Sequence, residues 1–226
     1  MQQALCLQHV PFEGPGVFLS ALTARRFELQ SCLVPEEGLP SQRPDFLLVM
    51  GGPMSVNNPE PWIDRELEYI RRTIHQGIPV LGVCLGSQFI AKALGGHVTP
   101  GPRLEIGPVS IALTVEEDID PVFGTFPAHL DVFQWHGEGL TLPPGAILLA
   151  SSEHYTVQAF RYGERAYGLL FHLELETEGV EALCRECSGD VQKAGTTTKA
   201  LLEAAARVLP KSHELADQLI AHLTTS

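Results

Sequence analysis

Apolar and polar positions follow two rhythms along this chain, and the switches between them outline its elements. Short aliphatic runs at residues 4–10, 28–34, 46–50 and 80–83 read as strands, and residues 15–26 and 61–76 between them read as helices. In the second helix Trp62, Ile63, Leu67, Ile70 and Ile74 recur at helical spacing, Pro61 suits its first turn and Gly77 its stop. Strand and helix in alternation predict parallel strands joined by crossovers, so the expected fold class is α/β, a three-layer sandwich around a mostly parallel central sheet.

From residue 106 to 172 the rhythm changes. Short strands at 109–113, 132–135, 147–150, 157–160 and 167–171, separated by turns such as Pro143-Pro144-Gly145, predict a second, partly antiparallel strand run. From about residue 177 the tail reads as helices, interrupted near 188–195 and broken at Pro210. With no internal repeat and no linker, the expectation is a single domain over 1–226.

Composition narrows the function classes. Lys and Arg number 15 against 27 Asp and Glu, a formal net charge of −12, which disfavours nucleic acid or an anionic membrane as the main partner. No apolar stretch reaches the roughly 18–20 residues of a membrane span, and the first apolar run lacks a basic flank. The five cysteines, at 6, 32, 84, 184 and 187, are odd in number and lack the spacing of a disulfide scaffold. A cytoplasmic protein is expected, with at least one cysteine free to act as a thiol.

The most informative segment is Gly82-Val83-Cys84-Leu85-Gly86-Ser87-Gln88, which follows the strand at 80–83 and opens a helical stretch. A strand turning sharply into a helix holds the turn residue in strained geometry and needs small neighbours, here Gly82 and Gly86. The turn residue then projects at the carboxyl edge of the sheet, beside a helix N-terminus that favours thiolate. That is a nucleophile's position. Its base and orienter are found in Tyr167-Gly168-Leu169-Leu170-Phe171-His172-Leu173-Glu174, where residues two apart share a face, so Glu174 can fix the tautomer of His172. Gly51-Gly52-Pro53-Met54-Ser55 follows another strand at the same sheet edge. The backbone N–H groups of Gly52 and Leu85 can together hold a developing oxyanion.

These motifs together resemble the class I glutamine amidotransferases, in particular stand-alone proteins similar to the amidotransferase domain of GMP synthase. GVCLGSQ resembles the nucleophile motif, GGPMS the oxyanion loop and FHLE the His-x-Glu motif, over about residues 46–174. The resemblance implies that Cys84 attacks the carboxamide of glutamine, that His172 protonates the leaving ammonia, and that Glu174 orients it. It also implies substrate binding by Gln88, by Gly137 and more weakly by His136. Three positions depart from the family pattern. Leu170 and Leu173 stand where Gln and Pro are usual, and Trp135 where a smaller polar residue is common.

No P-loop or GxGxxG is present, so no cofactor is expected. Cys184 and Cys187 form a CxxC without further ligands, and Glu116, Glu117, Asp118 and Asp120 read as a solvated acidic loop, so no metal is expected either. About 50 residues follow Glu174, too few for a synthetase domain. The acceptor of ammonia is therefore expected on a synthetase partner chain, and a homo-oligomer is compatible with the sequence. Two alternatives stand beside this reading: a γ-glutamyl peptide or amine hydrolase without an acceptor, and a non-catalytic binding module.

Overall fold

A computed structural model describes residues 1–115 and 118–225. Nine strands form one sheet in the order β2-β1-β3-β4-β9-β8-β7-β5-β6. The parallel half contains β1 (Gln2–Gln8), β2 (Phe27–Leu33), β3 (Phe46–Val49), β4 (Val80–Val83) and β9 (Ala166–Leu169). The antiparallel half adds β5 (Val98–Leu113), β6 (His129–Leu140), β7 (Ala146–Ser151) and β8 (Ala159–Tyr162).

Alternation along the buried strands divides the core between the two faces of the sheet. In β3, Phe46 and Leu48 join one apolar cluster, and Leu47 and Val49 join the other. The first cluster lies under α1 (Val17–Ala24) and the C-terminal half of α7 (Thr198–Thr224), and the second under α3 (Pro61–His75) and α4 (Leu85–Ala93). A short helix, α2 (Val34–Glu37), follows β2. A third cluster joins β6 to α5 (Thr177–Glu186), α6 (Ser188–Lys193) and the N-terminal half of α7. The three-layer sandwich, the parallel centre and the antiparallel run are as the patterning predicts.

Three expectations are corrected. Pro210 does not break the tail; it lies inside the 27-residue helix α7. A proline there costs ~3 kcal/mol, but burying a single Leu contributes about 1.5–3 kcal/mol. Here Leu201 and Leu209 are buried before it and Leu215, Leu219 and Leu223 after it. Pro210 and Ala206, whose carbonyl loses its partner, are both exposed to water. The interruption expected near 188–195 is narrower than that: residues 188–193 form α6, and the helical tail breaks at Cys187 and again at 194–197. Finally, Asp120 is not solvated: it is fully buried, accepts hydrogen bonds from the N–H groups of Val122 (3.0 Å) and Phe123 (2.8 Å) and from Tyr167 (2.9 Å), and pairs with Arg161 at 2.7 Å. It ties the turn before β6 to β8 and β9. Asp118 is exposed, and Glu116 and Glu117 lie outside the described residues.

Candidate active site

Cys84 stands between β4 and α4 with φ 51° and ψ −111°, a conformation that costs a non-glycine residue about 1–3 kcal/mol. Hydrogen bonds on both sides hold it there. Its N–H donates to Leu169 O at 2.8 Å, and its carbonyl accepts from Ser87 N (3.0 Å), Gln88 N (3.2 Å) and Ser87 Oγ (2.7 Å). The flanking glycines are required by contact with backbone: a β-carbon on Gly86 would lie 2.0 Å from Val49 O, and one on Gly82 would lie 2.5 Å from Gly86 O.

β9 pairs with β4 in the register Val83↔Leu169, so the chain leaving β9 passes beside this turn. His172 is fixed through its backbone N–H to Phe133 O at 2.9 Å, and its Nδ1 lies 2.7 Å from Glu174 Oε1. Glu174 is anchored in turn, its backbone O accepting from Val17 N at 3.0 Å. Cys84, His172 and Glu174 are 6%, 1% and 2% exposed. Burial opposes protonation of His172, but the charge and hydrogen bond of Glu174 and the adjacent Cys84 sulfur overcome it, and the imidazole pKa stands well above its ordinary value. With Nδ1 engaged, Nε2 is the nitrogen without a hydrogen-bond partner among the described residues.

A cleft of about 440 Å³ opens over Cys84. Gly52, Leu85, Gln88, His136 and Gly137 all line it, whereas His172 and Glu174 lie buried behind the cysteine. The predicted oxyanion and substrate-binding residues thus share one cavity with Cys84, and His172 meets that site through its contact with the Cys84 sulfur. His136 is heavily engaged by the protein: Nε2 lies 3.4 Å from Glu105 Oε2, Nδ1 lies 3.2 Å from Glu138 O, and the ring meets Tyr155 edge-on at 4.6 Å. Of the three departures, Leu170 and Leu173 are packed in the core, whereas Trp135 both packs and lines the cleft. Leu170 and Leu173 are buried in clusters on opposite faces of the sheet, and Trp135 packs in the third cluster while its carbonyl faces Cys84 Sγ at 3.5 Å.

The sequence reading missed several groups. Glu13, Glu138, Asp190 and Cys187 also line the cleft, and Ser55 Oγ donates to Glu138 Oε1 at 3.0 Å. His9 and Glu66 lie buried behind the Gly51-Gly52 loop. Glu13 and His9 follow β1 at the same sheet edge as Cys84. Cys187 ends α5 beside the cleft; burial pushes its thiol up to about 11, and pushes that of Cys6 up to about 12. Among the described residues no group of three or more His, Cys, Asp or Glu is arranged to hold a metal. No helix among them is long and apolar enough to cross a membrane.

Burial raises the Glu13 carboxyl from 4.5 to about 7, His172 and His9 pulling it down and Glu174 pushing it up. A carboxyl raised in this way supports folding while protonated, below about 4.5, and that support is lost as pH rises through 7. Glu13→Gln keeps the neutral form at every pH. Its unfolding free energy relative to wild type should therefore rise by up to about 3 kcal/mol between pH 4.5 and 8 in urea melts. A difference that stays flat with pH would remove Glu13 from the titrating groups.

Residues 19–185 match the family described as Glutamine amidotransferase class-I. The chain is 33% identical to the glutamine amidotransferase-like protein YfeJ of Salmonella typhimurium over 196 residues, 82% of this chain and 81% of that protein. It is 33% identical to a glutamine-hydrolysing GMP synthase subunit from Pyrococcus abyssi, over 72% of this chain and 86% of that one. In the GMP synthase of Thermomicrobium roseum the match, 34% identical over 58% of this chain, spans only 24% of the relative's length. Among solved structures, a glutamine amidotransferase from Thermotoga maritima superposes with a TM-score of 0.91 at 29% identity, covering 100% of this chain and 99% of that one.

Proposed function

Because the chain belongs to the class I glutamine amidotransferase family, we propose that it hydrolyses the side-chain amide of glutamine through a γ-glutamyl thioester on Cys84. The observation that carries this reading is the 2.7 Å His172–Glu174 contact set behind a strained cysteine at the floor of a cleft. The Cys84 thiolate adds to the carboxamide carbon, and the N–H groups of Gly52 and Leu85 receive the negative charge on oxygen. As the tetrahedral species collapses, the His172 imidazolium gives its proton to the leaving nitrogen and ammonia departs. The neutral imidazole next takes a proton from water, whose oxygen attacks the thioester and releases glutamate. Glu174 keeps Nδ1 protonated throughout. Gln88, Gly137 and His136 would hold the substrate from the cleft wall.

Ammonia would pass to an acceptor on a partner chain. This is supported by a relative named as one subunit of a GMP synthase. A second reading, hydrolysis of a γ-glutamyl amine or peptide without an acceptor, is favoured by the cleft itself. Its volume falls among pockets that take larger ligands than glutamine, and Glu13, Glu138 and Asp190 line it without a Lys or Arg.

The test is incubation with glutamine and with a panel of γ-glutamyl amines and peptides, with mass analysis of Cys84. Glutamine turnover with a γ-glutamyl adduct on Cys84 is the expected result. Turnover of the panel alone selects the second reading, and neither turnover nor adduct leaves the binding module.

A further inference from the structure

His9 and Glu66 form a fully buried pair that the steps above do not use. His9 Nε2 lies 3.0 Å from Glu66 Oε1, with both side chains at 0% exposure, and Nδ1 lies 3.0 Å from the carbonyl oxygen of Gly51. The ring is stacked on Phe89 at 5.2 Å and 4°. Both hydrogen-bond partners accept only, so an ionised Glu66 requires both ring nitrogens to donate, making His9 an imidazolium. Burial works against that charge, whereas the charge and hydrogen bond of Glu66 and the bond to Gly51 raise the His9 pKa above its ordinary value.

Such a pair is a poor device for stability alone. Removing two charges from water costs several kcal/mol per ion, and apolar side chains of similar volume are often as stable or more so. The second Glu66 oxygen, Oε2, is moreover buried without a hydrogen-bond partner among the described residues. What the pair grips explains its retention. The Gly51 carbonyl and the Gly52 N–H belong to one peptide unit, and no peptide bond here is cis, so the two point in opposite directions. Fixing the carbonyl aims the N–H. Gly52 itself is wedged between His9 and Leu85: a β-carbon added to it would lie 3.0 Å from His9 Cβ and 3.0 Å from Leu85 Cδ2. Two consecutive glycines have little intrinsic preference for one peptide orientation, so the restraint must come from outside the loop.

We propose that Glu66 and His9 are positioning residues, a buried relay that grips the Gly51 carbonyl and thereby aims the Gly52 N–H at the oxyanion formed over Cys84. A donor on the carbonyl also polarises the peptide and strengthens its N–H as a donor. This rests on the proposed acyl chemistry at Cys84, though not on the identity of the amide substrate.

The test compares two reactions of the same sulfur, read by mass on the Cys84 peptide. Acetylation by p-nitrophenyl acetate adds the thiolate to a carbonyl and expels nitrophenolate, so it passes through an oxyanion. Alkylation by iodoacetamide displaces iodide at a saturated carbon and does not. His9→Phe keeps a ring on Phe89 and removes the donor. It should slow acetylation about 10- to 100-fold and leave alkylation at the wild-type rate. His9→Asn, which keeps an N–H donor near the place of Nδ1, should recover most of the loss. Glu66→Gln, which retains the shape and removes the charge, should slow acetylation severalfold and serves if His9→Phe fails to fold. Parallel loss of both reactions, or unchanged acetylation in these variants, would overturn the proposal. A wild-type protein that is acetylated at Cys84 but cleaves no γ-glutamyl compound would end the substrate reading and leave this one standing.

Discussion

Cys84→Ser is expected to cut amide hydrolysis by about 10⁴-fold or more while the protein keeps its fold. A hydroxyl is far less acidic than a thiol, so at neutral pH it does not offer the anion that attacks the amide carbon. The substitution leaves the turn intact, because the bonds that hold residue 84 at φ 51° are made by its backbone N–H and carbonyl. The serine hydroxyl can take over the thiol's contact with Trp135 O. Ammonia release and the melting temperature, measured side by side, check both halves. Turnover within about tenfold of wild type, a rise in barrier of less than about 1.4 kcal/mol, would mean that another group carries the chemistry. Cys187, the other thiol lining the cleft among the described residues, would be the first to examine, although burial holds it up near 11.

The layered fold was legible because burial on both faces of the sheet leaves a coarse signature. The four apolar runs in the first half became β1 to β4, and the stripe Trp62, Ile63, Leu67, Ile70 and Ile74 on α3 all packs in or against one cluster. Legibility failed where long-range packing outweighed local preference. The strand expected at 109–113 is only the end of β5, which begins at Val98, runs through Pro100 and Pro102, and shifts its register with β6 between Pro100 and Glu105. Pro210 misled in the same way: the buried leucines on either side of it belong to two different clusters, and local sequence does not reveal that one continuous helix serves both.

The site divided along a similar line. Cys84, His172, Glu174, Gly52 and Leu85 were readable because each sits in a short motif whose spacing has a local physical reason. His9, Glu13 and Glu66 were not, because their meaning depends on the sheet bringing three distant segments to one edge. One signal was nonetheless available. Glu66 falls three residues after Ile63 and four before Ile70, on the apolar face of its helix, and a carboxylate in that place must have a buried partner. Asp120 carried no such mark: the N–H groups of Val122 and Phe123 that it accepts from are local, but Arg161 and Tyr167, which engage its other oxygen, come from segments that the sequence leaves unconnected to it.

Glu174→Gln is the second large effect expected, a fall in kcat of about 10²- to 10⁴-fold with a shifted pH profile. The carboxylate at 2.7 Å from Nδ1 does two jobs: it presents an acceptor that keeps the proton on Nδ1, and its charge raises the imidazole pKa well above the ordinary value despite complete burial. Glutamine offers an oxygen or an amide nitrogen at the same place. If the amide donates to Nδ1, the neutral ring carries its proton on Nε2 and has no lone pair there for water. If the oxygen accepts, the tautomer survives but the stabilising charge is gone. In either case the imidazolium that protonates the leaving nitrogen persists only to lower pH, so the alkaline limb of kcat moves toward acid. The opposite shift, or an alkaline limb unmoved with kcat intact, would show that Glu174 is a packing partner of His172 and not its electrostatic support. Glu174→Asp separates the two jobs, because it restores the charge at a greater reach: the limb should return toward wild type while part of the rate loss remains.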